Sequence, residues 1–187
     1  MGKIKQGILG GFSGKVGPVI GSSWKGKAVM KAIALSYNDR NSVAQQEQRA
    51  KFALVGKFLK RVNGFIALGF AKKAVGITAP NAAMAANLES AVTGDFPNYS
   101  LAMNKVLVSD GKIDLPYNPG ATVDSGTLTF TWADNTGRGA ALADDQVMVL
   151  VSNPPVEQSV YTSALAARST RTADLVCPPA WSGNQVH

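Results

Sequence analysis

Between Ser42 and Val92 the apolar residues recur at helical spacing. Ser42 followed three residues later by Gln45 forms a capping box. Two interleaved rows then follow, Leu54, Phe58, Val62 and Phe65, and Val55, Leu59 and Ile66. Arg49, Lys57, Lys60 and Arg61 fall mainly off those rows, which predicts a basic amphipathic helix of roughly 20 residues, weakened at Gly64. A second short helical piece runs toward Gly76. Thr78 and Pro80 then mark a new start, because proline in a first turn gives up no hydrogen bond. Ala82, Met84, Ala85, Leu88 and Val92 continue as a small-residue helix closed by Gly94. Its alanines allow a close approach to the preceding helix, so the pair reads as an αα-hairpin.

From about Tyr99 the period changes to two. Val106–Ser109 and Lys112–Leu115 flank Asp110-Gly111, the signal of a type I′ hairpin. Thr127–Trp132 alternates hydroxyl and large apolar side chains, predicting a strand with one buried face and one wet face. Gln146–Val151 is apolar on both faces, which suits a central strand, and Asn153-Pro154-Pro155 ends it. Val160–Thr162 and Thr172–Cys177 supply two further strands. Cys177, beside Leu175 and Val176, reads as a small buried hydrophobe. This spacing predicts an antiparallel β-sandwich of immunoglobulin-like or fibronectin-like kind. Trp181–His187 looks like a turn opening into a strand. A sandwich needs covered or paired edges, so the last strand reads as incomplete or as supplied from elsewhere.

Residues 1–37 carry no helical pattern. Glycines at 2, 7, 10, 11, 14, 17, 21 and 26 interrupt every window, and each costs a helix interior about 1 kcal/mol against alanine. Short apolar pieces, Val16, Val19 and Ile20, then Ala28, Val29 and Met30, fit strands of a small ribbon. Asn38–Asn41 is a turn cluster. The fold class is therefore α+β, in three parts: a basic Gly-rich extended arm (1–37), a helical hairpin (38–95) and a β-sandwich domain (96–187).

Composition narrows the chemistry. One cysteine in 187 residues rules out an internal disulfide and any multi-cysteine metal site. The sole histidine is His187, so a Ser-His or Cys-His pair has no imidazole within the body of the chain. No apolar run is long enough to span a bilayer. Gly10-Gly11 cuts off Ile8-Leu9 before a secretory core can form, which predicts a cytoplasmic or particle-associated protein. The net charge of +7 hides an asymmetry: residues 1–73 hold 14 Lys and Arg against Asp39 and Glu47, while residues 74–187 are net acidic. Such a split points to nucleic acid, or to head-to-tail contact between copies.

Three motifs bear on possible chemistry. Gly21–Ala28 has the spacing of a phosphate-binding loop, but Ala28 replaces the hydroxyl that holds Mg²⁺. Gly14-Lys15-Val16-Gly17 matches the short G-x-x-G clamp of single-stranded RNA binders, although a glycine turn explains it more simply. Asp134-Asn135 and Asp144-Asp145 lack EF-hand spacing and read as turn caps. No acid/base pair, metal set or cofactor motif emerges. Phe12 and Trp24 among Lys15, Lys25, Lys27 and Lys31 do stand out. Aromatics interleaved with cations in a permissive backbone stack on bases, anchor a subunit contact, or pack on the protein's own helices or sandwich. Together with Arg49, Lys57, Lys60 and Arg61 they form the candidate binding set.

The opening Gly2–Gly17 block and Gly21–Gly26 resemble an uncharacterised family of bacterial and phage-associated proteins. So do Gln48–Phe52, Ala91–Gly94 with Pro97–Tyr99, Phe130–Trp132 with Asp134-Asn135, and Ala166–Arg168. The resemblance spans essentially the whole chain and implies kinship without an assigned activity. Taken together, the expectation is a non-enzymatic structural or assembly protein, such as a component of a phage particle or another repeating assembly. It would associate with other copies of itself through its arm and basic helix. The alternative is a nucleic-acid-binding protein that uses the same basic surface.

Overall fold

A computed structural model describes residues 3–4, 10–24, 26–34, 36 and 39–187. The chain divides into two compact units, Met1–Ser42 and Val43–His187. The first holds a four-stranded antiparallel sheet in the order β1 (Lys3–Ile4), β2 (Phe12–Val16), β3 (Val19–Trp24) and β4 (Lys27–Ala32). The strand pieces read from the sequence in the arm are thus joined by short turns into one sheet. Gly21 on β3 is there for space: a Cβ would lie 2.5 Å from the Phe12 ring, which packs across it.

The second unit begins with α1 (Val43–Arg61), α2 (Asn63–Gly69) and α3 (Ala79–Ser90). The Thr78 hydroxyl accepts from the Asn81 amide at 3.4 Å and caps α3, as the Thr-x-Pro start predicts. Val55, Phe58 and Leu59 of α1, Phe65 and Ile66 of α2, and Ala83 of α3 form one buried cluster with Val62 and Phe70. The weak point at Gly64 has a packing cause. A Cβ there would lie 2.4 Å from the Tyr161 hydroxyl, whose ring meets Phe65 edge-on at 5.9 Å.

Seven strands follow the helices. β5 (Val92–Thr93) pairs with β6 (Ser100–Leu101). β8 (Thr127–Ala133) lies between β7 (Tyr117–Asp124) and β11 (Thr172–Val176), and β9 (Gln146–Asn153) pairs with β10 (Gln158–Ala167). The described residues form a mixed α+β fold with three α-helices and several antiparallel sheets, none of which closes into a barrel. β9 is apolar on both faces, as its sequence predicts. Val149 and Val151 pack with Leu128 and Trp181, while Met148 and Leu150 pack against the helical cluster. Helices and later strands therefore share one compact unit.

One expectation fails. Val106–Ser109 and Lys112–Leu115 form no hairpin. The backbone groups of this segment are taken up elsewhere. The fully buried amide of Asn87 donates to the Leu107 carbonyl at 2.7 Å and accepts from the Leu107 N–H at 2.8 Å. The Asp110 N–H reaches the Gly69 carbonyl at 2.9 Å. Asp110-Gly111 makes a good turn, but a side chain twenty residues upstream outcompetes a partner strand. β7 was not anticipated, because Pro119 and Gly120 disguise it. Both residues are tolerated on an edge strand, and every residue of β7 is exposed.

A buried arginine ties the strand ends together. Arg168, 4% exposed, donates through Nη1 to Asn135 Oδ1 at 2.6 Å and through Nη2 to the Asp114 carbonyl at 3.0 Å. Its Nη2 also lies 3.3 Å from Asp145 Oδ2. Its own carbonyl accepts from Trp132 Nε1 at 2.7 Å. Arg168→Ala would leave the partly buried Asp145 carboxylate and the buried Asn135 amide without their partner, so it should destabilise the protein by about 3 kcal/mol in urea unfolding. Trp132→Phe, which removes the indole donor and part of a buried ring, should cost about 2–3 kcal/mol. A loss below 1 kcal/mol for Arg168→Ala would show that this cluster does not hold the loops.

Candidate interaction surface

The register of the arm sheet sorts its side chains by face. Directly opposed residues share a face, and so do residues two apart on one strand. Lys15 opposes Ile20, Ile20 opposes Lys31, and Trp24 opposes Lys27. Lys15, Lys27, Lys31, Trp24, Ile20 and Val29 therefore lie on one face. Phe12, Val16, Val19, Ala28, Met30 and Ala32 lie on the other, with Gly14 and Gly21 between them. The first face is basic with an aromatic, and Trp24 is 51% exposed. The second face is apolar, yet Val16 is 52% and Met30 68% exposed. Lys25, also a candidate from the sequence, lies outside the described residues.

This geometry settles the motif readings. Gly21–Ala28 runs from β3 into β4, so the phosphate-loop spacing falls on a hairpin with no helix behind it. Gly14 lies within β2, and Gly17, at φ +55°, takes the left-handed conformation of the turn that follows. Asp134 accepts from both the Thr136 N–H and hydroxyl. These bonds, the hydroxyl's first, hold its carboxyl below the usual carboxylate range. Asp145 accepts from the Leu142 N–H and faces Arg168. Both aspartates thus cap turns. Among the described residues no three His, Cys, Asp or Glu side chains gather closely enough to hold a metal ion. Burial pushes the Cys177 thiol up, away from reactive thiolate character. No helix among the described residues is long and apolar enough to cross a membrane.

The basic residues of α1 do not act alike. Lys60 is exposed, and so is Arg49. Lys57 Nζ donates to Glu157 Oε1 at 2.5 Å, joining α1 to the turn between β9 and β10. Arg61 lies over the Phe58 ring with its guanidinium carbon 5.8 Å from the centroid, and its Nε and Nη1 are buried. Lys57 and Arg61 thus spend part of their charge within the molecule, a use that periodicity alone did not reveal. Sequence reasoning also passed over Val16, Val29 and Met30 as surface residues, having read them only as strand formers. For Val16 and Met30 the alternation with Lys15 and Lys31 was the available signal.

Residues 11–187 match the model of a family of unknown function, DUF6266. The chain belongs to that family. Among curated proteins and solved structures no match is found. The segments that carry the sequence resemblance map informatively onto this member of the family. Trp132, Asn135 and Arg168, from three of those segments, meet in the buried arginine cluster.

The Lys57 bond, ahead of the charge of Lys57 and Arg61, depresses the Glu157 carboxyl below its ordinary value of 4.5. A depressed carboxylate contributes stability above the unfolded value, and this is lost as pH falls through the folded one. The contribution should therefore fade below about pH 4.5. Lys57→Ala should raise the Glu157 titration midpoint toward its ordinary value, read by carboxyl-carbon NMR. An unchanged midpoint would mean the contact is absent in solution.

Proposed function

We propose that this protein is a non-enzymatic structural component of a repeating assembly, such as a phage particle, that associates with further copies of itself through the β1–β4 sheet. The observation that carries this reading is the apolar face of that sheet, on which Met30 and Val16 stay more than half exposed. An apolar sheet face left exposed favours a partner. Among the described residues β4 pairs with β3 only, so its other edge could take a further strand on the same surface. The basic front of the chain and its acidic remainder are complementary between neighbouring copies.

The sandwich reading of the later strands belongs to this proposal. Its support is the shared cluster of Leu128 from β8 with Val149 and Val151 from β9, the arrangement that two facing sheets produce.

A second reading rests on the other face of the arm sheet. Lys15, Lys27 and Lys31 share a face with the half-exposed Trp24, Lys27 directly opposite it and Lys15 and Lys31 on either side of Ile20, which suits a single nucleic-acid strand whose bases stack on the indole while phosphates meet the lysines along the strand. The readings respond to opposite substitutions. Met30→Asp with Val16→Asp should abolish a concentration-dependent rise in mass measured by light scattering, and a native chain that stays monomeric at high concentration would remove the assembly reading. Lys15→Ala with Lys31→Ala should lower the salt slope of single-strand binding by about 0.7 per lysine. No binding at low salt would remove the nucleic-acid reading.

A further inference from the structure

A cleft of about 310 Å³ lies where the end of α1 meets the start of β10. Val160 and Pro178 give it apolar walls, and Arg61, Glu157, Gln158, Ser159 and Trp181 bring polar groups to it. All but one of those polar side chains are satisfied within the protein. Glu157 Oε1 accepts from Lys57 Nζ at 2.5 Å, and Gln158 Oε1 accepts from Trp181 Nε1 at 2.9 Å. The Ser159 hydroxyl donates to the Ser152 hydroxyl at 3.2 Å.

Arg61 is the exception. Its guanidinium rests on the Phe58 ring, and its Nε and Nη1 are buried without a hydrogen-bond partner among the described residues. A guanidinium carries five N–H donors and keeps its charge. Buried donors left unpaired are rare in native structures, because the group has given up water and gained nothing for it. Arg61 shares the cleft with Glu157, yet among the described residues the carboxylate is paired with Lys57 and not with Arg61. The Lys57 bond, and after it the charges of Lys57 and Arg61, keep Glu157 ionised. Lys57 and Glu157 therefore cancel, and the cleft is left with one uncompensated positive charge.

The backbone at His187 does not border this cleft. It pairs with Ser152 on the edge of β9 away from β10, antiparallel to β9, and so runs away from the turn that holds Glu157. The cleft also shares no residue with the β1–β4 sheet.

We propose that this cleft binds a small monocarboxylate with an apolar tail, the carboxylate held by Arg61 and the tail laid against Val160 and Pro178. Turning the Arg61 side chain breaks no hydrogen bond and presents Nε and Nη2, the pair of donors that matches a carboxylate side-on. One negative charge balances the one left over. A phosphate dianion would exceed it and meet the ionised Glu157. A neutral apolar molecule would leave the guanidinium as it stands.

The test is a titration of the full chain with 3-methylbutanoate, followed by NMR at the Arg61 Nε–H and the Trp181 indole N–H. Parallel titrations use 3-methylbutan-1-ol and inorganic phosphate. Both signals should shift saturably with the carboxylate, with a midpoint on the order of millimolar, and neither should respond to the alcohol. Arg61→Lys keeps the charge but loses the two-pronged donor, so it should weaken binding about tenfold. Arg61→Met keeps the apolar stem and should abolish binding. The Trp132 indole N–H, bonded to the Arg168 carbonyl, reports whether each variant is folded. The titrations of the native chain decide the proposal even where a variant is not. No saturable shift there, or an equal response to the alcohol, overturns the site, and so does undiminished binding by folded Arg61→Lys or Arg61→Met. Phosphate bound as tightly as the carboxylate would make this a general anion site and overturn the proposal as stated.

Discussion

Residues 43–187 are organised around a strand that two hydrophobic clusters claim at once. A strand has only two faces, and β9 gives one to the helices and the other to β8 and the buried Trp181. Burying both sides removes apolar area from water at about 25 cal/mol per Å², and it obliges the helical hairpin and the later strands to pack as one body. The cost falls on the backbone. A strand whose faces are both covered has little access to water along its edges, so its N–H and C=O groups need protein partners. β10 satisfies one edge and His187 begins to satisfy the other.

The buried guanidinium of Arg168 solves a related problem at the opposite end of the same sheet. Removing a charged group from water costs several kcal/mol and is tolerated only with well-placed partners. Here the partners come from segments far apart in sequence, at Asp114, Asn135 and Asp145. That requirement explains why loops with little apolar content hold a defined course. It also explains the irregular 106–116 segment, which gives its backbone to Asn87, Gly69, Asn135 and Arg168 in place of a hairpin partner.

The arm sheet obeys a different balance. Its glycines permit tight turns and the close seating of Phe12 on Gly21, but they contribute no side chains to a core. What remains is a thin layer with lysines and Trp24 on one face and partly exposed apolar residues on the other. The two faces of one thin sheet therefore present different chemistry.

The pattern of residues alone determined the elements whose neighbours are close in sequence. The α1 stripe, the Thr78 cap, the arm's strand pieces, the alternation of β8 and the apolar run of β9 all follow from spacings of one to four residues, within which local sterics and capping bonds decide. Tertiary structure decided everything that depends on a distant partner. Asn87 dissolved the expected hairpin at Asp110-Gly111, Tyr161 explained the glycine at 64, and Glu157 drew Lys57 out of the supposed free basic surface. The division is physical: periodicity records which face is buried, whereas hydrogen bonds and charges find their partners only after the chain has folded back on itself.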